Sequence, residues 1–262
     1  MISNNLDSIN IRPNRELGQH FLVDHAVIKF LADQVNEGGE VLEVGAGDGR
    51  LTQKLLKKAK RVIAVEVDER YKSRLLTLSK KHSNLKVIMD DILNLNLNTL
   101  MKSRSQIISS LPYHISEPFL HKIMTLNIAN AVLLVGNKLV RNSGKLSLLI
   151  HAFFGVELLG EVLKKAFLPV PRTDSTIIKL TPKVESDLFN LIVRELFLTA
   201  SRGSLIKNVL KEKLIKLFYI TQKQAKEKIS DLMIDNVILN KSFDQLNNLE
   251  LAVLSNKLKK LL

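Results

Sequence analysis

The tetrapeptide Ser110-Leu111-Pro112-Tyr113 has the residue types needed to hold a planar amine against an electrophile. An exocyclic amine of adenine is a weak nucleophile because its lone pair is delocalised into the ring. A site must therefore fix that amine in line with the carbon it attacks. The Ser110 side chain and the Leu111 carbonyl can accept its two N–H bonds and localise the lone pair. Pro112 fixes the turn, and Tyr113 offers a ring face on which a base stacks. The amine can release its proton after the carbon arrives, so no dedicated general base is required. Taken alone, a Leu-Pro-Tyr turn also closes many ordinary strands, and short motifs match often by chance. The surrounding sequence has to decide.

Sixty-five residues upstream, Gly45 opens the loop Gly45-Ala46-Gly47-Asp48-Gly49, which follows the apolar run Glu40–Val44 and precedes a helix through Leu51, Leu55 and Leu56. A glycine loop between strand and helix suits a nucleotide-like ligand, because the backbone can approach closely and the helix start offers free N–H groups. A dinucleotide fingerprint would need glycine at position 50, where Arg50 stands. Glu43-x-Gly45-x-Gly47-x-Gly49 instead has the glycine spacing of S-adenosylmethionine-dependent methyltransferases. Glu66, 21 residues after Gly45, ends the next apolar run, where a carboxylate can accept ribose hydroxyl protons. Asp91, in Met89-Asp90-Asp91-Ile92, can accept from an adenine amine. Singly, Glu66 also reads as an edge-strand ion-pair residue and Asp91 as a loop cap. Together, the loop, Glu66, Asp91 and the Ser110 tetrapeptide fall at successive strand C-termini, where open α/β sheets bind ligands.

The elements that position these residues alternate. Helices are expected over Asp24–Val35, from Asp68 towards Lys80, over Glu117–Leu126 and over Lys145–Phe154, with short buried strands at Arg61–Val67, Leu85–Met89, Gln106–Ser109 and Ala131–Val135. Val156–Val162 and Thr176–Leu180 complete the sheet as an antiparallel edge pair. The fold class is α/β, with a mostly parallel Rossmann-like sheet. After Thr181-Pro182-Lys183 the pattern turns wholly helical, over Asp187–Leu198, Ser204–Leu217, Thr221–Leu232 and Ser242–Leu262. The last two begin with the capping-box patterns Thr221-x-x-Gln224 and Ser242-x-x-Gln245. Two domains are expected: a catalytic domain over residues 1–183, with an extended N-terminal arm carrying Arg12-Pro13-Asn14-Arg15, and a helical domain over 184–262.

Composition narrows the partners. The 262 residues carry 39 Lys+Arg against 26 Asp+Glu, a net charge of +13, which favours a polyanionic partner over a small neutral one. Residues 184–262 hold 13 basic and 9 acidic side chains, so +9 of the +13 lies on residues 1–183. Solvated lysines on helix faces are the plainer reading of such charge. With no cysteine there is neither a disulfide framework nor a thiolate nucleophile, and the six histidines show no metal-ligand spacing, so no metal is expected. The sequence has no apolar run of the ~18 residues that a membrane helix needs. A monomeric cytoplasmic protein is expected.

Asn14-Arg15-Glu16-Leu17-Gly18-Gln19-His20-Phe21-Leu22 resembles the N-terminal cofactor motif of the small-subunit ribosomal RNA adenine N6-dimethyltransferases, the KsgA-like branch of the rRNA adenine methyltransferases. Phe167-Leu168-Pro169-Val170-Pro171-Arg172-Thr173-Asp174-Ser175 is similar to that family's later Phe-x-Pro-x-Pro motif. The resemblance implies a cofactor site for S-adenosylmethionine lined by Gln19, His20, Leu22, Gly45, Gly47, Glu66, Val67, Asp91, Ile92 and Ser110. It implies an acceptor site of Ser110, Leu111, Pro112 and Tyr113, with Phe167 pairing Tyr113 around the target base. It implies up to four methyl transfers to two adjacent adenosines near the 3′ end of small-subunit rRNA, with the immature subunit as partner. The chain departs from the family pattern in three places. Ser110 stands where Asn is usual, Thr199-Ala200-Ser201-Arg202 stands where a Gln-Arg-Arg-Lys-like stretch is usual, and Gly136-Asn137-Lys138-Leu139 replaces a more polar segment. The other readings are a non-catalytic ribosome-assembly factor, a large-subunit methylase, which Gly18-Gln19 disfavours, and a small-molecule methyltransferase, which fits the glycine loop but not the charge.

Overall fold

The structure is a computed structural model that describes residues 12–14, 17–141, 144–184 and 187–261; Arg15 and Glu16 of the N-terminal motif lie outside the described residues. The chain divides into two compact units, Met1–Arg141 with Val156–Pro182, and Asn142–Gly155 with Lys183–Leu262.

Among the described residues nine strands occur: β1 Phe21–Leu22, β2 Glu40–Val44, β3 Arg61–Glu66, β4 Leu85–Met89, β5 Ser105–Ser110, β6 Ile128–Gly136, β7 Phe154–Val162, β8 Phe167–Leu168 and β9 Ser175–Pro182. Seven of them form one sheet in the order β4-β3-β2-β5-β6-β9-β7. Pairing is parallel from β4 through β6 and antiparallel between β6 and β9. Six helices belong to the first unit: α1 His25–Asp33, α2 Arg50–Leu55, α3 Lys72–Lys81, α4 Leu97–Leu100, α5 Ser116–Ile123 and α6 Asn137–Arg141. The α/β, Rossmann-like class expected from the alternation is the class observed.

The apolar runs explain the layout. Val41, Leu42, Val62, Ile63, Ala64, Ile107 and Ile108 are fully buried, as expected of central parallel strands covered on both faces. Helix α1 turns Ile28, Leu31 and Ala32 into that core, and Asp24 caps it by accepting the N–H groups of Ala26 and Val27, worth about 1 kcal/mol. The chain runs from β2 outward through β3 to β4, then returns to lay β5 on the other side of β2. The reversal sits between β2 and β5, and their C-terminal ends are the topological switch point where such sheets bind ligands. Gly45 and Ser110 are the residues found there.

The edge pair expected from the sequence is found, with β9 against β6 and β7 at the edge. One further feature was not expected. A separate two-stranded ladder joins β1 to β8, with Phe21 opposite Leu168 and Leu22 opposite Phe167.

The second unit contains α7 Lys145–Phe153, α8 Leu188–Ala200, α9 Ile206–Phe218, α10 Gln222–Asp231, α11 Asn236–Leu239 and α12 Asn248–Leu258. A boundary at Lys183 leaves α7 with the sheet, whereas the structure groups it with the helices. Arg194 of α8 is the physical reason: its Nε donates to the Ala152 carbonyl at 2.7 Å and its guanidinium lies 5.3 Å from the Phe153 ring centroid. The single helix expected over Ser242–Leu262 is also broken. The Ser242–Gln245 capping box is present but caps only the short turn Phe243–Gln245. A second box, in which Asn247 and Glu250 exchange hydrogen bonds at 2.9 and 3.1 Å, starts α12. Among the described residues no helix is long and apolar enough to cross a membrane.

Candidate active site

Three glycines shape the loop after β2, with φ of 71° at Gly45, 53° at Gly47 and 80° at Gly49, a region that L-residues with side chains rarely adopt. The Gly45 and Ala46 N–H groups donate to the Val65 carbonyl at 2.8 and 3.1 Å, which folds the loop over the end of β3. A methyl group on Gly45 would lie in ordinary van der Waals contact with Pro112 Cδ, at 3.4 Å, so the loops after β2 and β5 run side by side there.

Glu66, at the end of β3, is the anchor of this loop. Its Oε2 accepts the Gly47 N–H at 2.7 Å, and its Oε1 accepts the Val67 and Asp68 N–H groups at 3.0 and 2.9 Å. A carboxylate offers about four lone-pair sites, so one acceptor position remains, on Oε2. The sequence expectation of two ribose bonds at Glu66 therefore becomes one, unless a backbone N–H is released. Burial raises the Glu66 pKa, against the three backbone N–H groups that favour the ion.

Glu43 was read from the sequence only as the first letter of a motif. It is fully buried two residues before the loop, accepts the Thr52 hydroxyl at 2.6 Å, and is pushed up to about 8 by burial. The Thr52 bond opposes that shift, and the nearby Glu66 and Asp48 carboxylates add to it. At neutral pH Glu43 therefore holds a proton.

The third wall is the N-terminal arm. Gly18 has φ of 54°, and a Cβ there would come within 2.9 Å of His114 Nδ1, so only glycine lets the arm pass over the Tyr113-His114 turn. The polar atoms of Gln19 do not point to a ligand. Its Oε1 accepts the Asn14 N–H at 2.8 Å, and its Nε2 donates to Asp68 at 2.8 Å. Arg70 holds the same Asp68 and also donates to the Arg12 carbonyl at 2.9 Å. The hydrogen bond from Arg70 is the main reason that the Asp68 carboxyl is held below its ordinary pKa. Gln19 thereby ties the arm to Asp68, and His20 is the next residue. His20 Nδ1 lies 2.7 Å from the Pro169 carbonyl; a carbonyl can only accept, so that nitrogen carries the hydrogen and, in the neutral ring, Nε2 is left as an acceptor.

The acceptor wall is built on β5. The Leu111 N–H donates to the Leu134 carbonyl at 3.0 Å, and the Pro112 carbonyl takes the Ile115 N–H and the Ser116 hydroxyl. Tyr113 begins a short turn, and its hydroxyl lies 2.6 Å from Ser175 Oγ on β9. Burial raises its pKa. Ser175 is wholly buried, so the phenol is tied at one end to the sheet. A Cβ on Gly136 would sit 3.4 Å from Tyr113 Cδ1, so the ring rests on the bare backbone of β6. The ring found stacked with Tyr113 is His20, at a centroid distance of 5.9 Å and 28° between planes. Phe167 is 3% exposed and packed in the hydrophobic core, where the β1–β8 ladder sets it opposite Leu22.

Every sequence-predicted site residue, from Gln19 to Phe167, borders a single pocket at the C-terminal ends of β2, β3, β4 and β5. Glu43, Gly18, His114 and Ser175 are the residues that sequence reasoning did not place in the site. Gly18, Glu43 and Ser175 each carried a signal, their places in the arm, glycine-loop and Phe167 motifs. The donor set suits S-adenosylmethionine. Glu66 keeps an acceptor for a ribose hydroxyl, Asp91 has one oxygen engaged by the Leu93 N–H and a second for an adenine amine, and Val67 and Ile92 flank these with apolar surface. The glycine backbone leaves space beside Pro112.

Comparison with known proteins gives the family. The sequence model of the ribosomal RNA adenine dimethylase family matches residues 10–252. A probable ribosomal RNA small subunit methyltransferase A of Methanopyrus kandleri is 35% identical over 68% of this chain, a match that spans 66% of that protein. Its counterpart in Pyrococcus abyssi is 32% identical over 79% of each chain. The crystal structure of a dimethyladenosine transferase from Plasmodium falciparum superposes with a TM-score of 0.60 at 23% identity, covering 92% of this chain and 98% of that one, which supports the fold. With nearly its whole length matched by that model, this chain belongs to the ribosomal RNA adenine dimethylase family.

Proposed function

We propose that the protein methylates N6 of two adjacent adenosines near the 3′ end of small-subunit rRNA, acting as a cytoplasmic monomer on the immature subunit. The observation that carries this reading is the contact between the glycine loop and the acceptor loop at Gly45 and Pro112, which puts a cofactor wall and a base-holding wall in one pocket. S-adenosylmethionine supplies a methyl already activated by its sulfonium, so the step needs no metal. The protein's residues do the rest. Ser110 and the Leu111 carbonyl accept the two N–H bonds of the adenine amine and turn its lone pair towards the cofactor side. Tyr113, held by Ser175, gives the base a fixed plane. Stacking worth ~1–3 kcal/mol per base offsets part of the few kcal/mol needed to unstack the adenine from its RNA. The amine proton leaves to solvent after the new C–N bond forms.

Incubation with methyl-labelled S-adenosylmethionine and immature small subunits, followed by mass spectrometry of digested rRNA, is expected to show N6,N6-dimethyladenosine. Absence of label at saturating cofactor and particle would sink the proposal. Ser110 in place of the usual Asn favours a second reading, an assembly factor of weak catalysis that binds cofactor and RNA. Serine has a shorter reach and no amide donor. Ser110→Asn separates the two: a working site keeps or gains turnover, while a binding factor shows cofactor binding by calorimetry and no turnover in either form.

A further inference from the structure

The end of the sheet opposite the pocket holds a second concavity, a cleft of about 650 Å³ between the N-terminal edges of β2, β3, β4 and β5. Five cations line it, Lys60, Arg61, Lys86, Lys102 and Arg104, against one anion, Glu40. Glu40 is already committed. It pairs with Arg61 at 2.8 Å and accepts the Lys102 N–H at 2.9 Å and the Ser105 hydroxyl at 2.8 Å. The other four cations are exposed, and among the described residues none of them forms an ion pair. Four like charges thus converge on a polar cleft from the starts of three strands.

The loops presenting them are built rather than loose. Asn84 Nδ2 donates to the Leu56 and Ala59 carbonyls at 3.3 and 3.2 Å and fixes the turn that ends in Lys60. Arg104 stands at φ 62°, a conformation glycine adopts freely and other residues rarely do. It is kept there by its N–H bond to the Asn127 carbonyl at 2.7 Å, while Asn127 Nδ2 donates to Ser103 Oγ at 2.9 Å. A glycine would ease the backbone, yet the position carries a long cation into the cleft.

We propose that this cleft is a second RNA contact, which grips the phosphodiester backbone of the substrate rRNA while the target base enters the pocket at the opposite edge. The inference rests on the rRNA methyltransferase reading above. Unpaired point charges spread over an open surface suit sequence-independent phosphate contact. The two sites are separated by strands of five or six residues, roughly 17–20 Å at ~3.3 Å per residue. A single nucleotide cannot reach both, so the cleft engages a folded RNA and not a short oligonucleotide.

The test compares wild type with the quadruple variant Lys60→Ala, Lys86→Ala, Lys102→Ala and Arg104→Ala, titrating protein-free small-subunit rRNA and immature small subunits over a range of salt. The expected result is at least ~10-fold weaker binding to both at moderate salt, with a log–log salt slope shallower by about 3 for four lost phosphate contacts. Cofactor affinity and kcat at saturating particle should be unchanged. Arg104→Gly alone should weaken RNA binding without lowering Tm, which separates lost charge from lost fold. Unchanged affinity and slope would overturn the proposal, and so would a loss confined to particles with naked rRNA bound normally, which would make the cleft a protein-docking surface. Because RNA binding is read without turnover, failure of the methylation reading remains distinguishable from failure of the cleft.

Discussion

The two walls of the pocket are held by different means. On the cofactor side, Glu66 is buried and takes three backbone N–H groups, and the loop it anchors is forced into shape by three left-handed glycines. On the acceptor side, Tyr113 is half-buried and tied by one hydroxyl pair to Ser175, with the ring of His20 on it and the backbone of Gly136 beneath. The first wall suits a small charged molecule of constant shape, whose groups can be matched by fixed backbone donors and acceptors. The second must admit a base that is part of a polymer, so it offers a flat surface and few obligations. The contact at Gly45 and Pro112 is the place where the two kinds of support meet.

That contrast can be broken most directly at Tyr113. Tyr113→Ala removes the stacking plane and should lower turnover by about 100-fold, from the upper part of the ~1–3 kcal/mol range for stacking, while cofactor affinity by calorimetry changes little; simultaneous loss of both would mean that the walls are not separable. Gly45→Ala should act on both walls. The left-handed backbone costs an L-residue ~1–2 kcal/mol, so cofactor binding should weaken by roughly 5- to 30-fold and turnover with it. Ser175→Ala sharpens the acceptor side. Loss of one hydrogen bond, worth ~0.5–1.5 kcal/mol, should reduce kcat/KM by about 2- to 10-fold, Tyr113→Phe should match it, and the double variant should add nothing further. Independent, additive effects would show that the hydroxyl pair is not what holds the ring.

The smallest effect concerns Glu43. Its pKa is raised from 4.5 to about 8, so between those values the folded protein retains a proton that the unfolded chain releases. The associated stability is complete at acidic pH and is lost as pH rises from about 4.5 through about 8. Glu43→Gln, which keeps an acceptor for Thr52, should flatten the dependence of Tm on pH across that window. An unchanged profile would place the titration elsewhere.

Much of this arrangement was legible because it obeys local rules. β2 and β3 are short apolar runs bounded by charge or glycine, and the glycine spacing with Arg50 at the fourth position separated one kind of nucleotide loop from another. The parts that were not legible depend on contacts between distant segments. β1 and β8 have two residues each, too short to show any periodicity, and only their pairing explains why Phe167 lies in the core beside Leu22 while His20 takes the ring position against Tyr113. Glu43 and Ser175 stood at the ends of motifs, with nothing local to show what either side chain touches. The break between the turn at Phe243–Gln245 and α12 was read through as one helix.

The β1–β8 ladder also bears on when the protein becomes competent during synthesis. Phe21 and Leu168 are paired across 147 residues of chain, so the arm cannot take its final place until the ribosome has delivered β8. The glycine loop, Glu66 and the Ser110 turn can form earlier, from parallel strands already in hand. A nascent chain halted before Leu168 would thus hold most of the cofactor wall and lack its covering arm. Closing a loop of that length is an entropic cost that only the finished core repays, which makes completion of the pocket a late event in folding and couples cofactor retention to the whole first unit being present.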